Sequence, residues 1–102
     1  MIKYNITISV EECIKNDWLN WMKTKHIPEV MATGIFKKAQ LNRVIVSGDS
    51  NHTFAITYTC LNMKRLHNYQ SIFASSLQQK HQSRYGEKAI AFRTIMEEIE
   101  TF

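Results

Sequence analysis

Residues 2–10, IKYNITISV, alternate strictly between apolar and polar side chains. A period of two residues is typical of a strand with one buried face and one open face. The chain therefore begins with a half-buried strand, and the segments that follow have to cover its apolar side. That side consists of Ile2, Tyr4, Ile6, Ile8 and Val10.

The next segment has helical spacing. In residues 11–25, apolar side chains recur three and four positions apart, which predicts an amphipathic helix. The sequence His26-Ile27-Pro28 is predicted to end or reorient this helix, because the residue before a proline is disfavoured in the α region. Pro28 then suits the first turn of a short helix to Thr33, and Gly34 supplies the freedom needed to leave it.

The second half of the chain also contains segments with strand and helix periodicity. Residues 35–47 and 52–61 predict two strands joined by a tight turn at GDSN, residues 48–51. Residues 63–83 contain no Gly or Pro and carry apolar side chains at helical spacing, which predicts a longer amphipathic helix. Its N-cap is Asn62, and Tyr85-Gly86 ends it. Residues 89–99 predict a final strand.

The order of elements is β-α-β-β-α-β within 102 residues, a length that suits one domain. With right-handed crossovers this order gives an α+β, ferredoxin-like fold: a four-stranded antiparallel sheet with two helices on one face. Residues 1–102 are thus predicted to form a single ferredoxin-like domain. The second face of the sheet is left without a cover.

Charge and cysteine content indicate which partners and which cellular compartment suit the protein. The net charge is +4, and no Asp or Glu occurs between Asp49 and Glu87, so the predicted second helix carries a basic face. That face fits either a solvated helix surface or an anionic partner. No apolar run is long enough to cross a membrane, and no secretory signal is recognisable. Two separate cysteines indicate reduced thiols and a cytoplasmic protein.

The uncovered sheet face is mixed in character. On the first strand it presents Lys3, Asn5, Thr7 and Ser9. Periodicity alone leaves two sets open for the third strand, residues 55, 57 and 59 or residues 54, 56 and 58. Such a face could meet solvent, nucleic acid or the same face of a second subunit, and sheet-to-sheet pairing would enclose a cavity between the two sheets.

One pattern in the chain resembles a known family. The pattern W-x-x-W-M-x-x-x-H-I-P-E-V-M-x-x-G-I-F begins at Trp18 and ends at Phe36, and FAITYTCLN and YGEKAIAFRTIME extend it over most of the chain. It resembles an uncharacterised family of short bacterial proteins, which in turn is similar to the dimeric α+β barrel superfamily. The resemblance implies a homodimer formed through the sheets. The superfamily includes small monooxygenases, haem-degrading monooxygenases, muconolactone isomerases and members without known catalysis.

The four candidates for a site are His26, Asn5, Trp21 and Arg93. His26 could act as a base near neutral pH, or its cation could stabilise the C-terminal end of a helix. Trp18 and Trp21 share one helix face and are expected to pack in the core, with one indole N–H able to reach a cavity edge. Asn5 and Arg93 could hold a small hydrophobic or anionic ligand, while an ordinary structural contact is the alternative for both.

These candidates lead to three functional hypotheses. The first is a small-ligand-binding or non-catalytic member of the barrel class. The second is a cofactor-independent monooxygenase or isomerase acting on a small hydrophobic molecule, with His26, Asn5 and Arg93 positioning it. The third is RNA binding through the sheet, although Ile56 stands where a stacking aromatic is expected.

Cofactors and metals receive little support from the sequence. Haem-degrading members use an asparagine on the first strand, a tryptophan on the sheet and a histidine on the second helix. Asn5 and either His67 or His81 match this pattern, but no predicted strand contains a tryptophan. The histidines and cysteines form no metal-binding motif, and no phosphate-binding glycine loop occurs. No cofactor, no metal and no membrane partner are predicted, and nucleic acid is the least favoured partner.

Overall fold

The computed structural model describes residues 1–48 and 50–102. Four strands form one antiparallel sheet in the order β2-β3-β1-β4. They are β1 (Ile2–Val10), β2 (Lys38–Val44), β3 (His52–Cys60) and β4 (Ala89–Glu97). Two helical segments connect β1 to β2 and β3 to β4. The predicted ferredoxin-like α+β fold is confirmed.

The first helical segment, residues 12–32, is continuous. It consists of a 3₁₀ turn (Glu12–Ile14), α1 (Lys15–Trp21), a π turn (Met22–His26) and α2 (Ile27–Ala32). His26 and Ile27 have α-helical dihedral angles, so the prediction that the helix ends or reorients before Pro28 was wrong. The π turn supplies the reason: Ile27 N donates to Met22 O, and this wider turn makes room for the proline ring. His26 therefore does not cap a helix C-terminus.

The second helical segment, residues 63–85, follows the prediction more closely. It contains α3 (Met63–Tyr69), a second π turn (Gln70–Ala74) and α4 (Ser75–Tyr85). The Asn62 side chain accepts a hydrogen bond from Arg65 N at 3.0 Å, so the predicted N-cap is present. Gly86, with a φ of 54°, ends the segment, and a 3₁₀ turn (Gly86–Lys88) leads into β4.

The β2–β3 hairpin is shorter than the sequence predicts. The last residue pair is Val44 with Thr53, and Ile45 and Val46 beyond it are exposed because they have no partner strand. The predicted turn at 48–51 includes position 49, which lies outside the described residues. At the other end, Ile35 and Phe36 are buried core residues that precede the strand.

The sheet directs one residue set toward the helices and the other outward. Buried residues on β1 and β3 include Tyr4, Ile8, Phe54, Ile56 and Tyr58, which pack beneath Trp18 and Leu66 from the helices. The alternative left open for β3 is thereby decided: Phe54, Ile56 and Tyr58 point toward the helices. The opposite side, called the open face below, carries residues 3, 5, 7 and 9 of β1, residues 53, 55, 57 and 59 of β3, and residues 90, 92, 94 and 96 of β4.

Most of the basic residues of the second helical segment have partners within the fold. Arg65 donates to Gly34 O at 2.8 Å, Lys80 pairs with Glu29 at 2.6 Å, and Arg84 pairs with Asp17 at 3.4 Å. The basic face of this segment therefore holds the two helical segments together as well as facing solvent. Across the described residues, no helix is long and apolar enough to cross a lipid bilayer.

Candidate functional site

A groove runs between β4 and the second helical segment. This outer groove has a volume of about 740 Å³, within the range of small-molecule pockets. A smaller inner cavity of about 30 Å³ lies deeper, between the sheet and both helical segments, and can hold a group the size of a water molecule. The two spaces share the same five lining residues where they meet: Tyr4, Gln78, His81, Ala91 and Arg93.

The two π turns stand beside these spaces. Met22 and His26, from the first π turn, line the inner cavity, and Gln70 and Ala74, from the second, line the outer groove. A π turn widens a helix locally and is frequent at functional sites. Both irregular turns therefore border the groove and cavity, together with regular helical residues such as Gln78 and His81.

His81 is held by a tryptophan from the other helical segment. Trp18 Nε1 donates to His81 Nε2 at 2.9 Å, and the indole is fully buried and stacks on Phe54 with 5.1 Å between ring centroids. Burial, followed by the positive charge of Arg93, lowers the pKa of His81 below its ordinary value of 6.5. The imidazole is thus fixed in position and favoured in its neutral form.

His26 lies on the other side of the inner cavity. Its ring stacks on Trp21 at a centroid distance of 4.8 Å and is 6.0 Å from the His81 ring. Within residues 1–48 and 50–102, the buried His26 Nδ1 has no hydrogen-bond partner. Burial, followed by the proximity of His81, lowers the pKa of His26 from 6.5 to about 4. His26 is therefore neutral near pH 7 and has a ring nitrogen able to meet a ligand.

Trp21 covers the histidine pair from outside. Its indole is half-buried between His26 and the Arg84 guanidinium, whose Cζ lies 5.5 Å from the ring centroid. Tyr85 packs edge-on against it at 5.5 Å and donates its hydroxyl to Asp17 Oδ2 at 2.7 Å. This set of contacts limits access of water to His26 from the helix side.

Arg93 brings a positive charge to the junction of groove and cavity. It lies on β4 opposite Ile6, so its side chain is on the helix-facing side of the sheet. No acidic side chain forms an ion pair with it in the part of the chain that the structure describes. Among the described residues, no Asp or Glu lines the inner cavity, and Glu87 lines the outer groove.

Tyrosines from β1, β3 and α3 form part of the wall of the inner cavity. Tyr4 and Tyr69 pack at a centroid distance of 6.1 Å, and both line the inner cavity together with Tyr58. Burial, followed by the nearby Tyr4, raises the pKa of Tyr69 to about 12, and burial raises the pKa of Tyr58 further still. The Tyr58 and Tyr69 phenols therefore stay protonated across the physiological range, so they can donate or accept hydrogen bonds but cannot serve as anions.

The structure brings together three of the four candidate residues. His26 and Arg93 line the inner cavity, and Trp21 stacks on His26. Asn5 is elsewhere: it lies on the open face, where its side chain donates to Thr7 Oγ1 at 2.9 Å and accepts from Thr57 Oγ1 at 3.1 Å. A cavity was expected between two paired sheets, whereas the groove and cavity seen here lie between one sheet and its own helices.

Sequence reasoning gave little weight to the other residues of the junction. His81 was considered only for haem chemistry, and Gln78 and Tyr4 were not considered as site residues. His81 is distinguished by its contact with Trp18, which lies 63 positions away in the chain. Periodicity within one segment of the sequence does not reveal such a contact. Among the described residues, no group of three or more His, Cys, Asp or Glu side chains is arranged to hold a metal ion.

Sequence comparison assigns the chain to a family. Residues 1–99 match the family described as "Domain of unknown function (DUF4286)". The chain belongs to the DUF4286 family. No curated protein matches it in sequence. The family assignment agrees with the resemblance to short, uncharacterised proteins seen in the sequence.

Solved structures confirm the fold of this DUF4286 protein. An ethyl tert-butyl ether D (EthD) family protein from Bacillus halodurans C-125 has a TM-score of 0.69 at 14% identity, over 97% of this chain and 100% of that one. A dimeric ferredoxin-like protein from an uncultured marine organism has a TM-score of 0.66 at 11% identity, over 99% and 97%. HapK from Hahella chejuensis has a TM-score of 0.70 at 8% identity, over 100% and 96%. At these identities the likeness concerns the fold.

Proposed function

We propose that this DUF4286 protein is a homodimeric α+β barrel protein that binds a small, largely apolar organic molecule between β4 and the second helical segment. The observation that supports this most directly is that the two spaces share five lining residues, namely Tyr4, Gln78, His81, Ala91 and Arg93. A groove that leads to a polar junction above an apolar interior is the usual form of a small-molecule site.

The residues of the site suit a ligand of mixed character. The inner cavity is bordered by aliphatic side chains such as Ile8, Val30 and Leu77, which favour an apolar group. The junction offers the Arg93 guanidinium and two imidazoles, which favour a polar or charged oxygen. Glutamine amides from the second helical segment line the outer groove and can bond to further polar groups, namely Gln70, Gln78, Gln79 and Gln82.

A titration of small aromatic compounds tests ligand binding. The backbone amide signals of ¹⁵N-labelled protein would be followed by NMR during addition of each compound. Binding at the site predicts shifts at Gln78, His81 and Ala91, and Arg93→Gln is expected to weaken binding by about tenfold, since a hydrogen bond to a charged group is lost. Shifts confined to the open face would contradict the proposal.

The matched control for this experiment is Arg43→Gln. Arg43 and Arg93 are both exposed, both lie on edge strands of the sheet, and both occupy helix-facing positions. Arg43 stands over Phe54 at the far edge and lines neither space. Equal weakening by the two variants would indicate a general charge effect and not a site at the junction.

Homodimerisation through the open face is the second part of the proposal. On β4 this face exposes Ile90, Phe92 and Met96, which a paired sheet would remove from water. One of the similar structures is a dimeric ferredoxin-like protein. The open face also carries Asn5, which would then lie at the interface between subunits.

Sedimentation equilibrium tests the dimer. The expected mass is twice the 12.0 kDa of one chain, and Phe92→Glu is expected to shift the population to monomer because it places a charge in the apolar part of the interface. Ile72→Glu is the control, since Ile72 is similarly exposed, at 67%, but lies on the second helical segment. A monomeric wild-type protein would refute this part of the proposal.

Catalysis by a cofactor-independent monooxygenase or isomerase is the second candidate function. It is favoured by the unpartnered Nδ1 of His26, a neutral base that lines the inner cavity next to the outer groove. Turnover that is lost in His26→Gln while ligand affinity is kept would support it. RNA binding through the sheet, the third hypothesis, would require bases to stack on an aromatic side chain such as Phe54. That side chain is buried beneath Trp18.

The cellular setting proposed from the sequence is the bacterial cytoplasm. Cys13 and Cys60 are both free thiols, one exposed and one buried, as a reducing compartment would keep them. Detection of the protein in a cytoplasmic fraction of its native cells would test this placement.

A further inference from the structure

The hydrogen bond between Trp18 and His81 determines where the imidazole carries its proton. An indole nitrogen donates and cannot accept, so His81 Nε2, at 2.9 Å from Trp18 Nε1, must be the acceptor. A neutral imidazole has one protonated nitrogen, and with Nε2 as acceptor that nitrogen is Nδ1. Because Trp18 is fully buried and stacked on Phe54, the indole cannot easily turn away from this contact.

The same contact disfavours the charged form of His81. An imidazolium has a hydrogen on both nitrogens, so its Nε2–H would face the Trp18 N–H, donor against donor. Burial and the positive charge of Arg93 both lower the pKa of His81. The groups that face His81 are Trp18, Trp21 and His26 from the first helical segment, Tyr85 from the second and Arg93 from β4. Of these, Arg93 is the one with a permanent charge.

The ring lines both the outer groove and the inner cavity, and Nδ1 is the nitrogen left for a ligand. Arg93 lines the same two spaces and has no carboxylate partner among the described residues. The junction therefore holds two hydrogen-bond donors, one of them cationic, and none of the described residues that line the inner cavity is acidic and could compete for them.

From this arrangement we infer that Trp18 is a positioning residue that fixes His81 as an Nδ1–H donor, and that His81 and Arg93 together select ligands that carry an oxyanion. The chemical class is a small aromatic or apolar molecule with a carboxylate or an ionised enol or phenol. The inference rests on the proposed ligand-binding function, since it names the ligand class of that same site. A cationic ligand head would meet two donors and is disfavoured.

The tautomer of His81 can be measured without any ligand. Long-range ¹H–¹⁵N correlation spectra of the ¹⁵N-labelled protein distinguish a protonated nitrogen from a bare one in each imidazole. At about pH 7, wild-type His81 is expected to show a protonated Nδ1 and a bare Nε2. In Trp18→Phe, which keeps an aromatic ring but loses the donor, the Nε2–H form is expected to appear. A wild-type ring protonated at Nε2 would overturn the inference, whatever the protein binds.

Size-matched probes then test the ligand class. Benzoate, benzyl alcohol and benzylamine, and their naphthyl counterparts, would be titrated into wild-type protein and into Trp18→Phe. Benzoate and naphthoate are expected to bind at least about tenfold more tightly than the alcohols. Trp18→Phe is expected to reduce that preference by about threefold, with Arg93 supplying the rest, while leaving the alcohols unchanged. Unfolding of Trp18→Phe would leave the wild-type tautomer and the wild-type probe series as the deciding measurements.

The outcomes separate the inference from the proposed function. Equal binding of acids, alcohols and amines at the groove would uphold the site but overturn the oxyanion preference. Absence of binding by every probe at millimolar concentration would contradict the proposed function and the ligand class together. A carboxylate preference that persists unchanged in Trp18→Phe would show that Arg93 acts alone and would overturn the positioning role of Trp18.

Discussion

Protonation of His26 is expected to destabilise the protein as the pH falls. The pKa of His26 is lowered from 6.5 to about 4, first by burial and then by His81. Because the folded-state pKa is below the unfolded-state value, the contribution of neutral His26 to stability is complete above pH 6.5. It is lost progressively between pH 6.5 and about pH 4, as the unfolded chain takes up a proton that the folded chain resists.

The size of the effect follows from the pKa difference. Each pH unit below 6.5 costs about 1.4 kcal/mol until the folded protein is itself protonated, so the loss at about pH 5 is about 2 kcal/mol. With a urea dependence of about 1–2 kcal/mol per M for a chain of this size, the unfolding midpoint should move by about 1–2 M.

Urea unfolding of wild type and His26→Gln, at about pH 8 and about pH 5, measures this contribution. Glutamine does not titrate, and His81 is present in both proteins, so the difference between the two pH-dependent losses isolates His26. His67→Gln serves as the control because His67 is exposed on the second helical segment. Between the higher and the lower pH, this variant should lose as much stability as the wild-type protein loses. Parallel losses in wild type and His26→Gln would refute the reasoning. A fixed protein concentration keeps any dimer contribution constant.

Three further substitutions test the frame around the site. Asn62→Ala removes the side-chain acceptor of Arg65 N and should lower the free energy of unfolding by about 1 kcal/mol, whereas Asn62→Asp should keep most of it. Gly86→Ala places a side chain at a φ of 54° and should lower the melting temperature by a shift equivalent to about 1–2 kcal/mol. Ser76→Ala, at an exposed helix position, is the control, and an unchanged melting temperature in Gly86→Ala would contradict the strain argument. Tyr85→Phe removes the 2.7 Å bond to Asp17 and the acceptor of Arg84 Nε at 3.0 Å, and it should cost about 1–2 kcal/mol in chemical denaturation. The loss should shrink when Asp17→Ala is already present, because only the bond from Arg84 then remains to be removed.

The fold could be predicted because its local signals agree. The alternation in β1, the N-cap at Asn62 and the glycine at position 86 each indicate an element or its end, and together they leave few topologies. The prediction was wrong where an irregular backbone turn removed the conflict on which a local rule depends. Pro28 was expected to interrupt the first helical segment, but a π turn just before it accommodates the proline ring without ending the helix.

The site was harder to predict because it depends on register. Arg93 pairs with Ile6, so it shares the helix-facing side with the buried residues of β1, whereas Asn5, one position away, faces outward. A shift of one residue in that pairing would exchange these sides, and the sequence of one strand does not define its register. His81 required knowledge of Trp18, which is distant in the chain and adjacent in space.

The two π turns have a consequence for how family members can vary in length. Each turn accommodates about one more residue than an α-helix would over the same rise, and each residue corresponds to about 100° of rotation. The flanking turns therefore keep their phase, so deletion of one residue from positions 23–25 would restore a regular helix with Trp18 and Pro28 in place. Relatives that are one residue shorter in this segment should therefore keep the tryptophan–histidine pair but lack the wider turn beside the cavity, so a single gap in an alignment would mark a family branch with a differently built pocket.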